Sequence, residues 1–252
     1  MQPVVLVTGA AKGIGFEIAN RFLAGGSFVA LNDQTPELVQ SALEKLSLAH
    51  DGQLIGCVAD VSDAQQVGEM VNQVIQSWGR IDILINNAGI YPSHAFLEMS
   101  EADWIRVMDV NAKGVFLVSQ AVARKMVALG NAGQIINISS GSYHIARVGS
   151  AHYCASKAAA TMLTKVIAME LAPYHIRVNA VAPGLILVDD MSLNPQYIES
   201  TVRQTPVGRA GTPQDIAGVV FQLAQIESDY VTGAVISVDG GLALGRYGIP
   251  MG

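Results

Sequence analysis

Residues 4–15 read VVLVTGAAKGIG, a short apolar run followed at once by a glycine-rich turn. The apolar run predicts a buried strand, and the glycines permit a tight turn that opens a helix. Such a turn points backbone N–H groups and the positive end of the helix dipole at one place, where a pyrophosphate can bind. An ordinary strand-to-helix turn is the alternative, but the position after the first strand favours a dinucleotide site. The candidate cofactor contacts in this stretch are Gly9, Lys12, Gly13, Ile14 and Gly15.

The rest of the chain repeats this order of strand and helix. Short β-branched runs alternate with longer segments of helical periodicity, which is typical of βαβ units. Right-handed crossovers then predict one Rossmann-type α/β domain over residues 1–252, a doubly wound sheet of seven parallel strands with helices on both faces. We predict strands at Val4–Val7, Phe28–Asn32, Gln53–Ala59, Ile83–Asn86, Gln134–Ser139, Arg177–Ala182 and Ala234–Val238. We predict helices near Gly13–Ala24, Pro36–His50, Ala64–Trp78, Ala102–Ala128, Tyr153–Leu171 and Pro213–Ala224.

Composition excludes several classes of function. Half of the 252 residues are hydrophobic and 14% are charged, which suits a buried parallel sheet. The net charge of −6 and the lack of a long Lys/Arg cluster argue against a nucleic-acid partner. No apolar run reaches the roughly 18 to 20 residues that span a bilayer, and no basic signal region is visible, so we expect a cytoplasmic protein without membrane insertion. Cys57 and Cys154 are expected to be reduced, and the Asp189-Asp190 pair lacks the further ligands of a metal site.

Two segments depart from the strand and helix rhythm. Residues 185–211 form a long stretch with two prolines and no strand of its own, which is typical of a lid over a substrate. The tail, residues 242–252, lies beyond the last strand and is expected either to fray or to dock on a neighbouring subunit.

Asp33 directly follows the second predicted strand and lies eighteen positions after Gly15. A carboxylate there can accept hydrogen bonds from the adenosine ribose and repels a 2′-phosphate. Asp33 could instead cap the helix that begins near Pro36. Lys12 favours NADP(H) instead, because a basic residue in the glycine turn attracts a 2′-phosphate. No Arg or Lys follows Asp33 directly, so NAD(H) is favoured over NADP(H).

The third and fourth predicted strands also end in candidate cofactor contacts. Asp60 and Val61 are placed to meet the adenine, although Asp60 could simply cap the next helix. Asn87, Ala88 and Gly89 provide small, polar backbone beside the cofactor.

Tyr153 and Lys157 are four residues apart in a helical pattern, so both side chains emerge on one face. Hydride transfer to a carbonyl also requires a proton, and a phenol with an ordinary pKa near 10 is a poor base at neutral pH. A nearby ammonium ion favours the phenolate. Taken alone, such a pair is more often a surface tyrosine beside a solvated lysine.

The residues before this pair remove that ambiguity. The fifth strand delivers Ser139 and Ser140 to the carboxyl edge of the sheet, where Ser140 can hydrogen-bond a substrate oxygen and Ser139 can be a turn residue. Asn111 lies inside a long helical segment, although asparagine is a mediocre helix former. A local helix distortion that exposes a carbonyl to water would explain its presence there. Ser142 is a candidate substrate contact that could also be a turn residue. Further candidate substrate contacts, each of which could also be a solvated neighbour, are His94, His152, His144 and Tyr91.

These motifs together resemble the short-chain dehydrogenase/reductase family over essentially the whole chain. The landmarks are residues 8–15, Asp60, residues 86–89, Asn111, Ser140, Tyr153 with Lys157, Pro183-Gly184 and residues 238–241. The resemblance implies that Tyr153 is the acid/base and that Ser140 orients the substrate oxygen. It also implies that Lys157 binds the nicotinamide ribose and lowers the pKa of Tyr153, and that Asn111 supports a proton relay. Pro183, Gly184 and Ile186 would lie against the nicotinamide.

The resemblance has one departure and one further implication. Val188 stands where family members often carry a threonine that bonds the carboxamide, so Asp189 or a backbone group would have to replace that contact. Similar proteins pair through the fourth and fifth helices and the final strand, which implies a homotetramer. The small residues Ala158, Ala159 and Ala160 permit close helix approach.

Three functions are open at this point. The first is an NAD(H)-dependent oxidoreductase that interconverts a secondary alcohol and a ketone. The second is an NADPH-dependent 3-oxoacyl-(acyl-carrier-protein) reductase, which Asp33 opposes. The third is a non-catalytic dinucleotide sensor or scaffold, which would have little reason to keep all four candidate catalytic residues. The residues that shape a substrate pocket lie on variable loops, so the sequence does not name the substrate.

Overall fold

A computed structural model describes residues 2–47, 52–188, 194–245 and 247. It confirms the predicted single α/β domain with seven parallel strands. The strands are β1 Val4–Val7, β2 Phe28–Asp33, β3 Leu54–Val58, β4 Ile83–Asn86, β5 Gly133–Ile138, β6 Ile176–Pro183 and β7 Val235–Val238. The helices are α1 Gly13–Ala24, α2 Pro36–Ser47, α3 Ala64–Trp78, α4 Glu101–Met108, α5 Gly114–Leu129, α6 Ala151–Leu171, α7 Pro195–Gln204 and α8 Pro213–Ala224. A π-helical turn, Asp109–Lys113, joins α4 to α5, and short 3₁₀ turns occupy Gly141–Tyr143 and Ala172–Tyr174.

The strand order of the sheet is β3-β2-β1-β4-β5-β6-β7. The chain therefore moves outward in one direction from β1 to β3, then returns to the other side of β1 with β4. At this switch point the loops after β1 and β4 run in opposite directions and leave a crevice at the carboxyl ends of the strands. The candidate site lies along this edge.

Two apolar layers cover the sheet because side chains of a strand alternate between its faces. In β1, Val5 and Val7 pack with the apolar faces of α1 and α8. Val4 and Leu6 pack on the other face with apolar residues of α3 and α5. All four residues are buried, which explains why the strand reads as a continuous apolar run.

Three predictions about the helices and the long loop differ from the structure. The predicted helix Ala102–Ala128 is interrupted by the π-helical turn. The helix that carries Tyr153 begins two residues earlier, at Ala151. The segment 185–211 is more than a loop, since it contains α7, with Asn194 as its N-cap and Pro195 at its first position.

Some predictions fall on residues outside the described ranges. These are Asp189 and Asp190, the end of the second predicted helix at 48–50, and most of the tail beyond Gly245. Within the described ranges, no helix combines the length and hydropathy needed to cross a bilayer. Cys57 is buried, Cys154 is half-buried, and neither is in a disulfide.

Candidate active site

The glycine turn after β1 is locked against the end of β4. Gly9 has a φ of +59°, and a Cβ on it would lie 2.6 Å from the Cα of Ala88. The Asn87 side chain donates to the carbonyls of Thr8 and Gly9 at 3.0 and 2.7 Å. The Thr8 hydroxyl in turn accepts from the backbone N–H groups of Asn87 and Ala88 at 3.1 and 3.2 Å. The turn is thus a fixed backbone surface on which only glycine fits at position 9.

The first turn of α1 completes an anion cradle. Gly13 begins α1 with a φ of +59°, and its N-cap residue, Lys12, supplies no capping side chain. The N–H groups of this helix end are therefore available to an anion such as a pyrophosphate. A Cβ on Gly13 would lie 3.3 Å from Val188, which places the segment after β6 over the same turn.

Asp33 faces the glycine turn from the tip of β2. Its carboxylate accepts from the backbone N–H of Ala11 at 3.0 Å and from that of Gln34 at 2.8 Å. It does not cap α2, where the Leu38 N–H reaches the Thr35 hydroxyl at 3.4 Å. The alternative role of Asp33 as a helix cap is therefore wrong.

Asp60 does not cap a helix either. Its carboxylate accepts from the N–H and hydroxyl of Ser62 at 2.8 and 2.7 Å, whereas Asp63 is the N-cap of α3. Val61 is buried, and a Cβ on Gly114 would lie 2.9 Å from it. Val61 therefore packs against the start of α5, while Asp60 stays at the sheet edge beyond β3.

Lys157 is only 5% exposed although it is a lysine. Its ammonium Nζ donates to the carbonyl of Ile138, the last residue of β5, at 2.8 Å and lies 5.8 Å from the centre of the Tyr153 ring. Burial lowers the pKa of Lys157 to about 8. A cation is thus held beside the tyrosine at a cost in solvation, which is typical of functional rather than surface lysines.

Tyr153 lies beside Ser140, as predicted. Burial raises the pKa of Tyr153, while the hydrogen bond with the Ser140 side chain and the charge of Arg147 act to lower it. Arg147 is thus a second cation at Tyr153, in addition to the Lys157 ammonium 5.8 Å from the ring centre. Sequence reasoning missed Arg147, although it is the only Lys or Arg between Ser140 and Tyr153.

Asn111 occupies the middle of the π-helical turn, which confirms the predicted helix distortion. Its buried amide accepts from the N–H of Ile90 and donates to the carbonyl of the same residue, both at 2.8 Å, and also donates to the Ser156 hydroxyl at 3.1 Å. A Cβ on Gly89 would lie 3.3 Å from the Asn111 amide oxygen and 3.6 Å from the Lys157 ammonium. Asn111 and Lys157 therefore line one space beside Gly89.

The end of β6 forms the next part of the edge. The Gly184 N–H donates to the carbonyl of Val238 at 3.1 Å, and a Cβ on Gly184 would lie 2.8 Å from Asp239. Ile186 is buried and forms a single bridge with Gly211. Pro183, Gly184 and Ile186 are thus fixed against the strand and turn that follow them in space.

The predicted substrate contacts differ in their placement. His152 is fully buried instead of on the site rim, and its Nδ1 accepts from the Tyr153 N–H at 2.8 Å. His94 stands edge-on to His152 with ring centres 5.9 Å apart, and its Nε2 lies 3.9 Å from Asp103. Tyr91 packs edge-on to Tyr153 at 6.4 Å.

The neighbouring serines have different environments. The Ser139 hydroxyl is buried and bonds the Thr161 hydroxyl at 2.6 Å, which is a structural role. The N–H of Ser142 donates to the Ser140 hydroxyl at 3.2 Å. Among the described residues, no group of three His, Cys, Asp or Glu side chains is arranged to hold a metal ion.

Comparison with known proteins agrees with this geometry. Residues 9–243 match a family described as enoyl-(acyl carrier protein) reductase. The chain is 42% identical over 242 residues to a 3-oxoacyl-[acyl-carrier-protein] reductase, FabG, of Thermotoga maritima, covering 96% of this chain and 98% of that protein. It is 38% identical over 246 residues to 5-keto-D-gluconate 5-reductase of Escherichia coli, covering 94% of each chain.

A solved structure gives the same result in three dimensions. A short chain dehydrogenase from Bacillus anthracis superposes with a TM-score of 0.90 at 33% identity, and the superposition covers 98% of both chains. One conclusion follows from the glycine turn, the tyrosine and lysine on α6, the serine after β5 and this likeness over the whole chain. The protein is an oxidoreductase that belongs to the short-chain dehydrogenase/reductase family.

Proposed function

We propose that this protein interconverts a secondary alcohol and a ketone with NAD(H), using Tyr153 as the acid/base. The observation that carries the proposal is the convergence of Tyr153 and Ser140 on one point at the carboxyl edge of the sheet, with buried Lys157 and Asn111 behind them. A serine hydroxyl beside a phenol suits a carbonyl oxygen that becomes an alkoxide, because both groups can hydrogen-bond it.

The residues of the edge fit a nicotinamide dinucleotide. The glycine turn offers bare backbone where a Cβ on Gly9 would collide with Ala88, and α1 offers free N–H groups to a pyrophosphate. Asp33 would hold the adenosine ribose, and Lys157 the nicotinamide ribose. When bound, the nicotinamide supplies the acceptor or donor of hydride.

The chain's own residues handle the proton. In alcohol oxidation the Tyr153 phenolate takes the hydroxyl proton, and in ketone reduction the Tyr153 phenol returns it. Ser140 holds the substrate oxygen within reach of the phenol. Lys157 stabilises negative charge on Tyr153, and Asn111 fixes the backbone at Ile90 along the path by which a proton reaches water.

Asp33 supports NAD(H) over NADP(H). The Ala11 and Gln34 N–H bonds hold its carboxylate toward the turn, so a 2′-phosphate would meet a fixed negative charge. The FabG relative supports the second candidate, an NADPH-dependent 3-oxoacyl-(acyl-carrier-protein) reductase. By its name the gluconate relative acts on a keto sugar acid, so both substrate classes belong in an activity screen.

Replacing Asp33 by Ala should erode a preference for NADH. The expected loss is about 1 to 3 kcal/mol, or about 5- to 150-fold in the ratio of kcat/KM for NADH to that for NADPH, because charged hydrogen bonds to the ribose disappear. The measurement is nicotinamide absorbance at 340 nm with each coenzyme at fixed ionic strength. The control is Glu37→Ala, which removes the same charge from an exposed position at the start of α2. A wild type that uses NADPH better than NADH would show that Lys12 prevails over Asp33.

We also propose a homotetramer. Apolar side chains are exposed on α5 and α6, among them Phe116 at 42%, Met162 at 59% and Met169 at 78%. A second apolar groove lies on α8 and β7, lined by Val219 and Ile236 among others. Light scattering should give a mass four times the 26.5 kDa of one chain. Met169→Asp should lower that mass, and a monomer at micromolar concentration would refute the proposal.

A further inference from the structure

We propose that Arg147 binds a carboxylate of the substrate, so that the preferred substrates are hydroxy acids and keto acids. This inference rests on the proposed function, because it names the substrate class of the same site. It concerns a residue in the connection between the 3₁₀ turn Gly141–Tyr143 and α6.

The local structure fixes the Arg147 side chain at the reaction centre. Its Nε donates to the Ser150 hydroxyl at 2.8 Å, and the Ser150 N–H returns a bond to the Arg147 carbonyl at 3.2 Å. Ser150 is fully buried, so the bond anchors the arginine to the interior. The guanidinium carbon then lies 5.7 Å from the centre of the Tyr153 ring.

The guanidinium of Arg147 lies over the Tyr153 ring but has no anionic partner among the described residues. None of their carboxylates forms an ion pair with it, and Ser150 is its only side-chain hydrogen-bond partner there. The carboxylate of Asp103 contacts Ser100 and His94 instead. A half-buried guanidinium with unused donors has lost part of its hydration, which an anionic ligand would restore.

The chemistry of the free donors favours a carboxylate. Ser150 occupies Nε, so both Nη groups remain to bind two oxygens of one planar group. The amino end of α6 at Ala151 adds its dipole in the same region. Because Arg147 stands beside Tyr153, the carboxylate would be only a few atoms from the carbonyl that Tyr153 protonates.

Two other roles of Arg147 give different outcomes. As a group that only lowers the pKa of Tyr153, it would affect charged and uncharged substrates equally. As a group that only holds its loop through Ser150, it would affect stability and both substrate types together.

The experiment compares substrates that differ in one carboxylate. The probes are 5-keto-D-gluconate with L-sorbose, and acetoacetate with methyl acetoacetate, each reduced by wild type, Arg147→Gln and Arg147→Lys with saturating NADH. The control is Arg124→Gln on the exposed face of α5. The wild type should prefer the charged member of a pair, and Arg147→Gln should raise its KM about 10- to 100-fold, the range for a charged hydrogen bond. The KM of the uncharged member should stay within about twofold, and Arg147→Lys should fall between.

Several results would overturn the inference. They are a wild type that prefers the uncharged members, an equal loss for both members in Arg147→Gln, or a loss accompanied by an alkaline shift of the pH profile for both. Calorimetric titration of the two keto acids into the protein with NAD⁺, which cannot reduce them, gives a readout independent of turnover, and equal affinity for wild type and Arg147→Gln would also refute the inference. Arg147-dependent binding without hydride transfer would instead refute the proposed function and keep the carboxylate site.

Discussion

Tyr153→Phe should lower turnover at least 10²-fold and as much as about 10⁴-fold, the usual range for general acid–base catalysis. The substitution keeps the ring and its edge-on contact with Tyr91 and removes only the hydroxyl next to Ser140. NADH should still bind with little change, because the phenol is not among the groups that would hold the pyrophosphate or the adenosine ribose. Initial rates on a verified substrate and the quenching of protein fluorescence by NADH measure the two quantities.

Two further phenol deletions make this result specific. Tyr174→Phe alters an exposed tyrosine after α6 and should leave the rate unchanged. Tyr91→Phe removes the phenol nearest to Tyr153 and should have a small effect, because Tyr91 does not contact Ser140 in the way Tyr153 does. If the activity of Tyr153→Phe is within a few-fold of that of wild type, the tyrosine only packs a helix face. The hypothesis of a non-catalytic dinucleotide sensor or scaffold would then be favoured.

Lys157→Ala should be about as damaging in kcat, about 100-fold or more, and should also weaken NADH binding. The phenolate would lose the buried ammonium, and the nicotinamide ribose would lose its proposed anchor. This double effect separates Lys157 from Tyr153, whose loss should affect the rate alone. The control is Lys165→Ala, which removes an exposed lysine two turns along the same helix. A variant with normal rate and normal NADH affinity would contradict both proposed roles.

The pH dependence follows from the same two groups. In the proposed mechanism oxidation needs the Tyr153 phenolate, and the raised pKa of Tyr153 means that this form grows only as the pH becomes alkaline. Reduction needs the phenol, which predominates at neutral pH. Burial lowers the pKa of Lys157 to about 8, so its ammonium supports the phenolate below that pH and the support declines above it. The oxidation rate of Lys157→Ala should therefore lag furthest behind that of wild type below about pH 8, and the ratio of the two rates should narrow at higher pH.

The strands could be predicted closely because this sheet is buried on both faces. Such strands read as uninterrupted apolar runs between turn residues, so Gln53–Ala59 differs from the observed Leu54–Val58 by one residue at each end. The polar residues at their carboxyl ends then converge for topological reasons alone. That is why Ser140 could be placed at this edge from its position after the fifth strand, whereas the roles of Lys157 and Asn111 came from the resemblance to the short-chain dehydrogenase/reductase family.

Other features carried weaker signals. Helix α7 is short and has no buried residue, although Asn194 and Pro195 are a cap and a first-turn proline that mark its start. His152 is adjacent to Tyr153 in sequence, but neighbours on a helix point about 100° apart, so adjacency did not show that its ring turns inward. Arg147 lies in an irregular connection, where spacing gives no direction for a side chain.

The π-helical turn at Asp109–Lys113 has a consequence for how this chain can change in length. The hydrogen bonds of a π-helical turn join residues five apart, one more than in an α-helix, and each residue rotates a helix by about 100°. The π-helical turn therefore adds one residue to the rotation between the buried faces of α4 and α5. Val107 is buried before the turn, and Gly114 packs on Val61 after it. A single-residue deletion between them would yield a more regular helix, yet it would turn Asn111 away from Ile90 and Ser156 or swing α5 off the sheet. The π-helical turn therefore constrains the number of residues between α4 and α5, because Asn111 and the start of α5 keep their contacts only at the present length.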